Sequence, residues 1–318
     1  MLEIENEKTD TIEIRRGVRQ GCILSPLIFN LYSEYIFREA LDEIDEGILL
    51  NGERINNIRY ADDTVIFADS IDGLQHLMSN LEDCSECYGL DMNISKTKLM
   101  IISKNNIQNC HITIKGKYLE RVKRYTYLGT NINDQWDHSQ EIKNRIERAR
   151  AVYNKMAKLF TSHYLNINTK LRLLRCYVFS VLFYGVESWT LTETTSKKLE
   201  AFELWLYRRI LRVSWTEKVT NSEILRRMNK EKEVLYTVKS RKLQYLGHIM
   251  RNECRYKLLQ NILQGKVCGK RGVGRRRTSW LKNLRVWYSQ TTTELFRAAD
   301  NKIRIAQMIA NVRTGQAP

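Results

Sequence analysis

Residues 58–68 read IRYADDTVIFA, and this stretch decides the fold of the first part of the chain. Ile58, Tyr60, Val65, Ile66 and Phe67 are strand formers on either side of a short polar break. The pattern predicts a strand, a tight turn and a second strand. The break holds two adjacent carboxylates, Asp62 and Asp63. Ionised carboxylates are costly to bury unless something pairs with them, and two side by side repel unless a cation shares them. A hairpin turn lets both reach beyond the strand ends. On the pair alone, a solvated surface turn is the simpler account.

Working outward, TIEIRRG (11–17) alternates and predicts a strand ending on a glycine. A helix is predicted next, with Ser25 as its N-cap and Pro26 at the first helical position. Leu27, Leu31 and Tyr35 recur at spacing four, with Ile28, Tyr32 and Ile36 beside them. So broad a stripe predicts burial on more than one side. IDGLQHLMSNLEDCSECYGL predicts an amphipathic helix with Leu74, Leu77, Met78 and Leu81 on one face and Gly89 as its stop. KTKLMIIS predicts a strand, HITIKGKYLE a hairpin and RYTYLGTNI another short strand. Past residue 138 the texture changes. SQEIKNRIERARAVYNKMAKLF, NTKLRLLRCYVFSVLFYG, TSKKLEAFELWLYRRIL and KEVLYTVKSRKLQYLGHIM are helical in period and basic, and no strand is predicted after them.

Charge divides at the same place. Residues 1–138 carry 15 Lys and Arg against 23 Asp and Glu, whereas residues 139–318 carry 37 against 13. So lopsided a distribution predicts two parts with different jobs, the basic one facing a polyanion, nucleic acid first. From Cys254 to Thr293 there is no acid and there are ten basic residues. Seven cysteines form an odd number without framework spacing, which predicts free thiols in a reducing compartment. No secretory leader or membrane-length apolar run is legible. The expectation is a soluble intracellular chain, nuclear or cytoplasmic, with no membrane partner.

Other chemistries are poorly supported. Cys84 and Cys87 sit on a predicted helix without a second pair, against zinc. Gly265-Lys266 and Gly269-Lys270 are not followed by Ser or Thr, so there is no nucleoside-triphosphate loop. No nucleophile–histidine–carboxylate arrangement stands out among five histidines.

The order of motifs is more specific than any one of them. RRGVRQGCILSPLIFNLY, then YADDTVIFA, then GLDMNISKTKLM, then YLG resemble the palm of a reverse transcriptase of the non-LTR, LINE-like retrotransposon type. The later YGVESWTL, FELWLYRRIL, RKLQYLGHIMR and GKRGVGRRRTSWLKNLR resemble the same elements, so the likeness covers nearly the whole chain. It implies an α+β fold: a partial palm, an antiparallel sheet with packed helices, over residues 1–130. A helical thumb-like region would follow over 131–252, and a basic nucleic-acid-binding segment over 253–318. The implied activity is RNA-directed DNA polymerisation, with an RNA template, a DNA primer and deoxynucleoside triphosphates as partners. The implied cofactor is a pair of magnesium ions, which favour oxygen ligands and stabilise the attacking and leaving oxygens of phosphoryl transfer.

Residue by residue, the resemblance places Asp62 and Asp63 at the metal and Lys96 as proton donor to the leaving pyrophosphate. Gln20 and Gly21 would line the nucleotide and template pocket, and Arg19 would meet phosphate. Tyr127, Leu128 and Gly129 would grip the primer. Nucleic-acid contacts are expected from Lys266, Lys270, Arg271, Arg275, Arg276, Arg277, Lys282 and Arg285, with Trp280 and Trp287 interleaved among them, whereas Trp189 and Trp205 are expected in the core. The resemblance also implies a further metal-binding Asp on a strand upstream of RRGVRQG. No apolar strand ending in Asp precedes that segment, so a chain truncated through the palm is expected. A non-catalytic nucleic-acid-binding protein, or a relic of the element, is the alternative.

Overall fold

Tyr60 and Asp63 face each other across an antiparallel ladder, leaving Ala61 and Asp62 as a two-residue loop. The computed structural model describes residues 3–4, 7–8, 17–19, 21–103, 107, 110–266 and 278–314. The strand expected over residues 11–16 lies outside them. The chain forms two compact units, Met1–Val122 and Lys123–Pro318. The Tyr127–Gly129 turn therefore belongs to the second.

In the first unit, β1 (Glu3–Ile4) pairs with β2 (Glu7–Lys8). Then come α1 (Ser25–Leu41), the hairpin of β3 (Ile48–Leu50) with β4 (Glu53–Ile55), and that of β5 (Asn57–Tyr60) with β6 (Asp63–Ile66). After α2 (Ile71–Cys87), β7 (Lys98–Leu99) runs parallel to β10 (Glu120–Arg121), and β8 (Thr113–Ile114) pairs antiparallel with β9 (Lys117–Tyr118). The unit thus mixes helices with small, mainly antiparallel ladders, each two-stranded among the described residues.

Ser70 caps α2 by accepting from Gly73 N at 3.1 Å. Its other end is a Schellman motif: Gly89, at φ 69°, donates to Glu86 O and Leu90 to Ser85 O, so the predicted glycine stop holds. Leu77, Met78 and Leu81 are buried and Leu74 is half-buried, as the helical period predicts. Leu77 and Leu81 meet Ala40 and Leu41 of α1, with Ile66 packed against them.

Helix α1 departs from its sequence reading twice. Ser25 is its first residue rather than a side-chain N-cap, and its hydroxyl donates instead to Arg19 O at 2.7 Å. The broad stripe is mostly uncovered: Leu27 is 61% exposed, Leu31 73% and Tyr35 58%, whereas Ile36, Ala40 and Leu41 are buried. Tyr32 and Tyr35 reach Tyr88 at the end of α2 edge-on, and Ala40 and Leu41 meet its apolar face, while Leu27 and Leu31 stay open, so apolarity all round did not mean burial all round.

The second unit opens on a hairpin where a single strand was expected. β11 (Arg124–Tyr127) pairs with β12 (Thr130–Asn133) through Leu128 and Gly129, both at positive φ. Two consecutive left-handed residues are what the right-handed strand twist selects for a two-residue loop. Helices follow: α3 (Ser139–Lys155), α4 (Ala157–Phe160) and α5 (Ile167–Leu173), the last continued by a π-helical turn (Leu174–Phe179) into α6 (Ser180–Leu182). Then come α7 (Glu193–Leu211), α8 (Asn221–Met228), α9 (Val234–Arg251) and α10 (Glu253–Gln264). α11 (Trp280–Tyr288), α12 (Thr292–Asp300) and α13 (Lys302–Thr314) complete the described chain. One core gathers α3 to α9, including the fully buried Trp189. A second gathers α9 with α11, α12 and α13 around Leu246, Leu284 and Tyr288.

Candidate active site

The loop between β5 and β6 exposes both carboxylates. Ala61 takes φ 52°, a left-handed conformation that two-residue hairpins usually assign to Gly, Asn or Asp. Asp62 stands at the tip and Asp63 opens β6, both exposed. Among the described residues neither carboxylate enters an ion pair or a side-chain hydrogen bond.

The base of the hairpin is held from the side. Arg59 Nη2 meets Glu34 Oε2 of α1 at 2.7 Å, and the Arg59 guanidinium lies 4.7 Å from the centre of the Phe37 ring. Glu34 is also paired with Arg38 at 2.8 Å. This anchor was not legible in the sequence, because it joins two segments by side chains that look like ordinary surface charges.

The same helix positions the Arg19–Gly21 loop. Arg19 O accepts from the Ser25 hydroxyl and from Cys22 N at 3.3 Å, while Gly21 takes φ 86° and Arg19 itself is exposed. Gln20 lies outside the described residues. Hydrogen bonds from the Leu24 backbone, then from the Ser25 side chain and backbone, hold the exposed Cys22 thiol below its usual pKa.

Residues 93–98 form a tight turn. Asn93 Oδ1 accepts from the Ser95 hydroxyl at 2.7 Å and from Lys96 N at 3.1 Å. The two lysines of this segment differ. Lys98 Nζ is committed to Glu120 at 2.7 Å and to Ser95 O, whereas Lys96 is exposed and has no side-chain partner among the described residues.

In the second unit, the Tyr127–Gly129 turn is braced from below. Leu128 O accepts from the Tyr184 hydroxyl at 2.7 Å, and Gly129 O accepts from Arg145 Nη2. Arg145 is itself paired with Glu141 at 2.6 Å, both buried, and its guanidinium lies 4.4 Å from the Tyr184 ring centre. Glu141 completes the brace by accepting from Asn131 N and Nδ2 at 2.9 and 2.8 Å.

Of the expected basic contacts, Lys270, Arg271, Arg275, Arg276 and Arg277 lie outside the described residues. Lys282 and Arg285 are exposed on α11 and Lys266 is exposed after α10. The tryptophans beside them behave otherwise. Trp280 donates through Nε1 to Glu187 O at 2.7 Å, and both Trp280 and Trp287 pack against the second core. Lys242 Nζ, fully buried on α9, lies 4.7 Å from one ring and 5.5 Å from the other and donates to Trp189 O. Both rings are thus half-buried, each with the Lys242 ammonium near it and its packed side on the helical core. Trp205, expected in the core, is only half-buried at its edge.

Two carboxylates without protein cations are suitable donors for a hard divalent ion. No group of three or more His, Cys, Asp or Glu side chains gathers at one point among the described residues.

The family profile "Reverse transcriptase (RNA-dependent DNA polymerase)" matches residues 1–132. An uncharacterized transposon-derived protein of Caenorhabditis elegans is 30% identical over 246 residues, 74% of this chain and 86% of that protein. The chain is a member of the non-LTR retrotransposon reverse transcriptases. An RNA-directed DNA polymerase from the mobile element jockey of Drosophila funebris is 22% identical over 66% of this chain and 23% of its own length. A Pol polyprotein from a type-1 retrotransposable element R2 of Nasonia vitripennis is 30% identical over 45% of this chain and 14% of its own length. This reverse transcriptase chain thus spans most of the nematode protein and a small fraction of the two element polyproteins. Reverse transcriptases in general copy RNA from nucleotide substrates with divalent metal ions. No described helix of this one is long and apolar enough to cross a membrane.

Proposed function

We propose that the Asp62–Asp63 turn is the metal-binding part of a nucleotidyl-transfer site and that magnesium is its ion. One observation carries the reading: two exposed, unpaired carboxylates at the tip of a hairpin anchored by Arg59 and Glu34. A bound divalent ion supplies charge neutralisation for the nucleotide phosphates and the attacking oxygen. The chain's own residues do the positioning. Asp62 and Asp63 offer oxygen ligands, Lys96 offers an uncommitted ammonium as proton donor to pyrophosphate, and the Arg19–Gly21 loop offers backbone close to α1. Tyr127, Leu128 and Gly129 grip the primer on their braced turn. Two carboxylates leave most of an ion's coordination to phosphates, water and any further carboxylate.

Primer extension on an RNA template tests this. Whatever extension the wild-type chain supports with its two carboxylates is expected to vanish in Asp62→Asn and to persist in Asp69→Asn. Extension by Asp62→Asn at the rate of an active wild type overturns the assignment.

A second reading is favoured by the basic second unit and by the exposed Lys282 and Arg285. In it the chain binds nucleic acid without catalysis. Binding then falls steeply with salt, survives Asp62→Asn and weakens in Lys282→Ala/Arg285→Ala.

A further inference from the structure

The second unit contains a groove that the proposed site does not use. It has a volume of about 450 Å³ and runs between α3 and α7. Lys143, Ile146, Glu147 and Arg150 line one wall; Lys198, Ala201, Phe202 and Trp205 line the other. Each set follows the spacing i, i+3, i+4, i+7, so each wall is one continuous helix face, about 10 Å long.

The groove's chemistry is layered. Phe202 and Trp205 lie nearly parallel, 14° apart with centroids 5.8 Å apart. The Arg150 guanidinium lies 5.2 Å from the Trp205 ring centre, and Arg209 lies 5.1 Å from the same ring. Arg150 spends its Nη1 on Glu147 at 3.0 Å, while its Nε is buried with no hydrogen-bond partner. Lys143 and Lys198 are exposed and have no ion pair among the described residues. The accessible part of this floor is the half-buried Trp205 and Arg150, since Phe202 is buried beneath them; an indole and a guanidinium between exposed ammonium groups complement a base flanked by phosphates.

We infer that the α3–α7 groove binds an unpaired stretch of nucleic-acid strand, its base against the half-buried Arg150 and Trp205, with Phe202 buried beneath them, and its phosphates at Lys143 and Lys198. The inference deepens the nucleic-acid reading of the second unit and rests on it. Charge complementarity favours a strand over an apolar peptide: the lining has three cations against one carboxylate, Glu147. That carboxylate opposes phosphate and occupies Arg150, so neutralising it improves the site.

The test is fluorescence anisotropy of the full chain with a labelled oligouridine dodecamer, against a blunt duplex of equal length and against free UTP. Lys143→Ala/Lys198→Ala changes only exposed side chains. It is expected to weaken dodecamer binding about tenfold and to flatten the salt dependence by about 1.4 in log–log slope, two phosphates' worth for a single strand. Glu147→Gln is expected to tighten binding. The dodecamer is expected to outcompete the duplex and free UTP, and a 4-thiouridine dodecamer is expected to crosslink to the peptide bearing Phe202 and Trp205. Strand binding that is unchanged in the double lysine variant overturns the groove while leaving the nucleic-acid reading of the chain intact. Duplex bound as tightly as single strand also overturns it. A wild-type chain that binds no oligonucleotide overturns both.

Discussion

Arg59 and Glu34 meet at 2.7 Å, and through them the strand that leads into Asp62 and Asp63 is fastened to α1. The same helix receives the Arg19–Gly21 loop at its start, through Ser25. Glu34 lies nine residues along from Ser25, about 13 Å of helix. One helix thus sets the spacing of two parts of the candidate site. The pair is partly exposed and is expected to contribute about 0.5–1 kcal/mol. A double-mutant cycle with Glu34→Gln and Arg59→Met, read by urea unfolding, is expected to show that coupling; zero coupling refutes the anchor.

Ala61 holds a conformation that costs a residue with a Cβ roughly 1–2 kcal/mol. Replacement by Gly relieves it but loosens the unfolded chain by about 0.4–1 kcal/mol. Ala61→Gly is therefore expected to stabilise by about 0.5 kcal/mol. Ala61→Val is expected to destabilise, because a β-branched side chain tolerates positive φ least. Urea midpoints of the two variants must move in opposite directions.

The buried Glu141–Arg145 pair makes the Tyr127–Gly129 turn sensitive to α3. Arg145→Ala leaves a buried carboxylate without its cation and is expected to cost about 3–5 kcal/mol. Removing both charges, as Glu141→Gln/Arg145→Met, is expected to recover most of that loss. A loss under about 1 kcal/mol in the single variant would show that the carboxylate is satisfied some other way.

Lys242 predicts an alkaline gain in stability. Burial pushes its folded pKa down from 10.5 to about 7. Between those values the unfolded chain holds a proton that the folded chain has released, so the stability contribution rises with pH across that window. The slope is at most about 1.4 kcal/mol per pH unit. Measurements start at pH 7.5, above the titration of His138, which burial and then the Lys242 charge hold below 6.5. Lys242→Met should remove the slope; if wild type and variant run parallel from pH 7.5 to 9.5, the buried ammonium is not the cause.

Leu31, 73% exposed, belongs to an uncovered apolar row on α1. Leu31→Lys is expected to leave unfolding stability within about 0.5 kcal/mol and to reduce binding of an apolar dye. Destabilisation beyond that would mean the row is packed.

Local features were legible in the sequence. Alternation around Ala61-Asp62 gave the hairpin and its tip. Period and Gly89 gave α2 and its stop, and the order of the motifs gave the family. These depend on residues close in the chain, where turn chemistry and side-chain period act directly. The tertiary structure alone decided which surfaces are covered and which charges are committed. It left Leu27 and Leu31 uncovered, turned Trp280 and Trp287 onto Lys242, tied Lys98 but not Lys96, and joined Arg59 to Glu34. Burial and ion pairing are properties of neighbours brought together from distant parts of the chain, and no local pattern specifies those neighbours.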